Sequence, residues 1–219
     1  MALSKLFGAG ARDDASGTVL TTAAFDSTGY THLVVFMKHE GATTTKTLSD
    51  NKGSSASTNL TLESHSGTGD LDGQLAWMSI ASPGSGHTAT MTLGAARPFR
   101  NFIVWLVNAS GGRLELDVQS TAEGNSTTPD AGSLVTTAAT VSFMGVGEYA
   151  AGTYTIGTGW TEDYDNGSYG QSRSDASGTL DPVCTASGSM FWVACAASFK
   201  EIPNVQIPIA SLWPILVAC

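Results

Sequence analysis

The densest group of chemically capable side chains in the sequence is Trp160-Thr-Glu-Asp-Tyr-Asp-Asn-Gly-Ser-Tyr169. Three carboxylates, Glu162, Asp163 and Asp165, precede an Asn166-Gly167 pair, and that crowding makes them candidate metal ligands for calcium. With Gly167 at the sixth place of a helix-loop-helix calcium loop, the third place falls on Tyr164 and the twelfth on Arg173. Both places need oxygen ligands, so only a looser loop site is open to these carboxylates. Asn-Gly also predicts a plain hairpin turn, because that pair accepts the left-handed conformations such turns need. The same segment sets Trp160, Tyr164 and Tyr169 beside amides and carboxylates. Flat rings next to hydrogen-bonding groups can stack on sugars, which makes these three the candidate glycan-binding residues.

Other chemistry is sparse. His32, His39, His65 and His87 are scattered, with no spacing that converges three or four ligands on zinc. Gly167-Ser168-Tyr169-Gly170 is one residue short of a nucleophile elbow, and no glycine-rich stretch runs into Lys-Ser or Lys-Thr as a phosphate loop does. Cys184, Cys195 and Cys219 form no framework spacing, and Cys195, inside Phe191-Trp-Val-Ala-Cys-Ala-Ala-Ser-Phe199, reads as a small buried hydrophobe. No catalytic residue and no cofactor is expected.

The elements that must position these residues are strands. The 219 residues include 25 Gly, 25 Ser and 27 Thr, with 42% hydrophobic and only 13% charged residues. A polar, weakly charged chain with that apolar share is neither disordered nor a helical bundle. The continuous run Leu33-Val-Val-Phe-Met37 suits a central strand covered on both faces. Alternation at Ala89, Met91 and Leu93 and at Leu114, Leu116 and Val118 marks half-buried strands. Apolar segments at 101–108, 134–144, 154–160 and 190–199 extend the set, and no segment reads as a helix. Residues 120–132 read as a polar loop, and 161–189 as a long surface loop or short edge strands. These signals predict an all-β fold: one antiparallel β-sandwich of about 8–10 strands over residues 18–200, flanked by an N-terminal arm at 1–17 and a C-terminal tail at 201–219. Its core should hold Val34, Phe36, Trp77, Ile80, Met91, Ile103, Trp105, Leu116, Phe143, Trp192 and Phe199.

The net charge of −9 is uneven. Residues 1–113 carry eight basic and eight acidic side chains, whereas 114–219 carry two and eleven. Phosphate recognition needs clustered Lys and Arg, so neither nucleic acid nor an anionic membrane is an expected partner. The opening Met1-Ala-Leu-Ser-Lys-Leu-Phe-Gly lacks the apolar stretch of a signal peptide, and no window reaches the ~18 apolar residues of a membrane span. Assembly in the cytosol is the expectation.

Prolines 203, 208 and 214 keep the last segment extended, yet it carries Ile202, Val205, Ile207, Ile209, Leu212, Trp213, Ile215 and Leu216. Such a surface must be covered, either by a partner's groove or sheet edge or by the chain's own sandwich. The segment order, with the Ser82-Pro-Gly-Ser-Gly86 hairpin and the Gly157-Thr-Gly-Trp-Thr161 turn, resembles the jelly-roll-like β-sandwich domains of bacteriophage virion proteins and bacterial surface proteins. That resemblance implies a non-enzymatic virion component, a capsid decoration or fibre protein. It would dock on other virion proteins and on copies of itself through its terminal segments. The rival expectation is a carbohydrate-binding surface module that uses the Trp160–Tyr169 loop.

Overall fold

A computed structural model describes residues 3–54, 58–65, 70–109, 112–149, 152–175 and 177–203. It is all-β, antiparallel throughout, with no helix among the described residues. In the first half, β1 (Ser4–Asp13), β2 (Gly17–Thr21), β3 (His32–Glu40), β4 (Lys46–Asp50), β5 (Thr58–His65), β6 (Leu71–Ser79), β7 (Ala89–Arg97) and β8 (Arg100–Asn108) form two sheets, ordered β1-β8-β3-β6-β5 and β2-β7-β4. This is jelly-roll order, except that β5 hydrogen-bonds to β6 instead of extending the smaller sheet.

The second half repeats the plan. Its strands are β9 (Gly112–Ser126), β10 (Leu134–Thr136), β11 (Thr140–Glu148), β12 (Tyr154–Thr155), β13 (Thr161–Asp165), β14 (Ser168–Asp175), β15 (Gly178–Leu180), β16 (Thr185–Ala186) and β17 (Met190–Pro203). Taken from its other edge, the large sheet runs β9-β17-β11-β14-β13, so each strand stands where β1, β8, β3, β6 and β5 stand in the first half. The ribbons β10-β15 and β12-β16 replace β2-β7-β4, with β7 split into two short strands. The expected all-β sandwich is therefore present, but the described residues form seventeen strands where about 8–10 were expected: two five-stranded sheets lie face to face, each backed by a smaller outer layer.

Three apolar layers hold the stack together. Val34, Phe36, Leu75, Ile103 and Trp105 of the first half meet Val141, Phe143, Cys195, Ala197 and Phe199 of the second in the central core. Behind the first sheet, Leu33, Val35 and Met37 pack on Leu48 and Met91, and behind the second, Met144, Val146 and Tyr169 pack on Tyr154 and Leu180. This explains the unbroken Leu33–Met37 run, since each of its side chains faces one apolar layer or the other and all are fully buried. Val34-Val-Phe-Met37 and Val141-Ser-Phe-Met144 occupy matching places, with Phe36 and Phe143 toward the central core and Met37 and Met144 away from it. β8 lies over β14 where Gly170 sits beneath Trp105 and Ile103, and β17 lies over β6 where Gly73 sits beneath Val193. The strand pairs in contact, β8 with β14 and β17 with β6, exchange places when the halves are swapped.

Several elements differ from the sequence reading. The arm expected at 1–17 contains β1, whose Gly- and Ala-rich strand has little apolar signal but pairs with β8 along its whole length. Strand β9 runs through the polar stretch at 120–126, because β17 supplies a ladder there from Ser120 to Ser126. Segment 161–189 contains β13 to β16, including the interior strand β14. The core splits into three layers, and Trp77 and Leu116 are only partly buried at the edge of the central one.

Buried histidine sets a pH dependence. His32 has its Nδ1 2.8 Å from the Thr31 hydroxyl and packs on Trp77 at 5.4 Å; burial pushes its pKa down to about 4. The unfolded chain takes up this proton near pH 6.5, so the stabilisation is present above pH 6.5 and is lost as pH falls through 4. Between pH 7 and 4 the native chain should lose about 2 kcal/mol more than His32→Gln does, a value reduced for the ring's partial hydration. Urea unfolding at the two pH values checks this; parallel losses in the two proteins would contradict it.

Candidate functional site

The Trp160–Tyr169 segment forms the β13-β14 hairpin, closed by Asn166 and Gly167, the latter at φ 71°. The turn expected from Asn-Gly is thus present. Its three aromatics do not form one exposed face. Trp160 is buried behind the second sheet, donates from Nε1 to the Asp181 carbonyl at 3.1 Å and has the Arg173 guanidinium over its ring. Tyr169 is fully buried and stacks on Tyr154 with ring centroids 4.7 Å apart. Tyr164 points to the opposite face of the sheet, over Gly10 and 6.0 Å from Phe7. β-Strand alternation, with a bulge between Glu162 and Tyr164, separates what the linear sequence places together.

The same bulge divides the carboxylates. Asp163 turns inward and accepts the indole N–H of Trp105 at 2.9 Å, and burial raises its pKa. Glu162 and Asp165 are exposed. Among the described residues no group of three or more His, Cys, Asp and Glu converges as a metal site. Of the tail residues, Ile202 is half-buried in β17 opposite Arg113. Val205, Ile207, Ile209, Leu212, Trp213, Ile215 and Leu216 lie outside the described residues. Cys195 is fully buried, as expected; burial pushes the Cys184 thiol up to about 12.

Two polar groups bring together residues that the sequence leaves scattered. Ser27, His87 and Asp50 form a chain, with Ser27 Oγ 2.9 Å from His87 Nδ1 and His87 Nε2 2.9 Å from Asp50 Oδ2. The residue types are those of a serine hydrolase, but the surroundings use up their capacity. Ser27 is fully buried and its Oγ accepts the Gly84 N–H at 3.0 Å. Asp50 also accepts from the backbone of Lys52 and Ser54 and from the Ser54 hydroxyl. The chain ties three loops at one end of the first jelly roll. In the second group, Lys46 of β4 pairs with Asp72 of β6, with His39 at 3.5 Å, and all three side chains are fully buried. It fastens the outer sheet to the inner one.

The open site lies where the two halves meet. A cleft of about 250 Å³ is bounded by the ends of β1, β3 and β11, the start of β8 and the β13-β14 turn. Lys38 and Glu40 reach it from β3 and pair at 3.1 Å, while Arg12 and Asp14 pair at 2.7 Å on another wall. Arg100 is buried and held by Asp13 and the Val19 and Ala15 carbonyls. Glu148 is 2% exposed; its Oε2 accepts Tyr154 O–H at 2.7 Å and the Gly152 N–H at 3.1 Å. Burial raises the Glu148 pKa, against the pull of those two hydrogen bonds and of Lys38. Its Oε1, together with Asn101 Oδ1 and Arg100 Nε, is buried without a hydrogen-bond partner.

Two aromatic rings border this cleft from outside the packed layers. Phe99 and Tyr149 are 42% and 45% exposed, and among the described residues they are the only exposed aromatics. Phe99 also has φ 47°, the only positive value among the described non-glycine residues. A bulky side chain in that region costs about 1–3 kcal/mol, and such strain is concentrated where it serves a site. Nothing in the linear sequence joined these residues.

No protein-family model, curated protein or solved structure matches the chain.

Proposed function

We propose that this chain is a non-enzymatic structural component of a virion, a capsid decoration or fibre protein of a bacteriophage, that assembles with copies of itself and with other virion proteins. The observation that carries the reading is the fusion of two jelly rolls of one strand order through a continuous apolar core. An interface of that kind resembles an obligate dimer made permanent in one chain, a rigid unit suited to repetitive assembly. The group nearest to catalytic machinery, Ser27-His87-Asp50, serves as a loop tie with its nucleophile enclosed, which supports a structural role. The apolar segment 204–219 supplies the docking element in this proposal, with Trp213 as its anchor. Sedimentation velocity over a rising concentration series tests the reading. A discrete oligomer of fixed stoichiometry is the expected result, and a monomer at every concentration is the contrary one.

A further inference from the structure

We propose that the cleft between the two jelly rolls binds one neutral saccharide unit, with Phe99 and Tyr149 as stacking faces and Lys38, Glu40, Asn101 and Glu148 as its polar wall. This stands independently of the virion reading, since a sugar-binding cleft can belong to a shell protein or to any other. The charges along the cleft select the ligand class. Arg12, Lys38 and Arg100 oppose Asp14, Glu40 and Glu148, so the formal charges cancel. An anion would meet three carboxylates, a cation would meet three basic groups, and an apolar ligand would strip water from Arg12, Asp14 and Glu40, the three that are not buried. A polyhydroxyl ring suits both signs, because each hydroxyl can donate to a carboxylate and accept from a cation.

The aromatics point the same way. Among the described residues the remaining exposed large hydrophobics, Leu6, Val19 and Val135, are aliphatic and do not line the cleft, whereas both exposed rings do. A ring face against the C–H face of a sugar, next to charged hydrogen-bonding groups, is the contact these side chains can make. The strained backbone at Phe99 holds one of those rings at the cleft instead of in a packed layer. Buried Asn101 and Glu148 line the wall, each with one polar atom still unpartnered. The cleft is smaller than the roughly 300–1,000 Å³ that encloses drug-sized ligands, so it fits a single small unit or the end of a longer glycan.

The test is saturation-transfer NMR and calorimetric titration of the full chain with the methyl glycosides of glucose, galactose, mannose and N-acetylglucosamine. Methylguanidinium chloride and inorganic phosphate serve as the cationic and anionic probes. At least one glycoside should bind with a millimolar or tighter Kd. Tyr149→Ala and Phe99→Gly should each weaken it about tenfold or more. Both rings are exposed and glycine suits a positive φ, so neither variant should melt below the native chain. Failure of every glycoside to bind, unchanged binding in both variants, or selective binding of methylguanidinium or phosphate would overturn the proposal.

Discussion

Trp105→Ala should cost about 5 kcal/mol, enough to unfold a chain of ordinary stability under mild denaturant. Trp105 is fully buried in the central core, 5.2 Å from Phe143, so its loss opens a cavity between the two jelly rolls. It also leaves the inward-facing Asp163 without the indole donor at 2.9 Å, and an unpaired buried acceptor adds a further penalty. That bond belongs to a longer chain, in which Lys5 of β1 donates to Ser172 of β14 at 2.7 Å and Ser172 in turn bonds Asp163. Trp105→Phe separates the two contributions by keeping most of the volume, and should cost about 1–3 kcal/mol. Denaturant unfolding of both variants checks the pair. Equal losses for Phe and Ala would show that volume plays no part at this position.

The second large effect is expected at Gly145. A Cβ there would fall on the Phe36 ring, which is itself fully buried. The ring cannot retreat, because its far edge lies against Gly73, where a Cβ would come within 3.1 Å of Phe36 and 2.8 Å of Val193. Phe36 thus occupies a slot between two glycines, one from each half. Gly145→Ala should destabilise by about 3 kcal/mol through overpacking. Phe36→Leu should relieve the clash, so the double variant should be more stable than the sum of the single losses by about 1 kcal/mol or more. Strict additivity would mean that the slot does not constrain the interface.

How far the sequence announced these features follows from where the apolar signal lies. Strands β3 and β8 were legible as continuous apolar runs because both of their faces are buried. Strand β14 is covered just as fully at Tyr169, Gly170, Gln171 and Ser172, yet reads as polar. Its side chains are satisfied by distant groups, with Gln171 donating to the Val183 carbonyl at 3.2 Å and Ser172 accepting from Lys5. The tandem repeat was hidden for a related reason. Beyond Val-x-Phe-Met, few matched places keep the same residue: Leu75 and Trp77 of β6 stand where Ser172 and Ser174 of β14 stand. Gly73 and Gly170 do match, and glycine within a strand is the one local sign of close backbone approach that was available.

The candidate site was less legible than the fold. The aromatics and carboxylates at 160–169 are neighbours in sequence, but a strand sends neighbours to opposite faces. The cleft is built from the reverse situation. Arg12, Lys38, Arg100 and Glu148 are far apart in the chain and meet only because β1, β8, β3 and β11 end at the same edge of the stack. The acidic excess of the second half is plain in its composition, whereas the basic groups of the first half that face Glu148 are not.

The assembly role is tested most directly by comparing the full chain with a chain shortened after Pro203, the last described residue of β17. This boundary leaves the β9-β17 ladder intact down to the Gly112–Pro203 pair. Sedimentation velocity and thermal unfolding are then measured on both proteins. The proposal predicts a stoichiometric oligomer for the full chain, a monomer for the shortened one, and melting temperatures of the isolated units that agree. An oligomer that survives the truncation, or a full chain that stays monomeric and melts well above the shortened one, would contradict it and make 204–219 a cover for the chain's own sandwich.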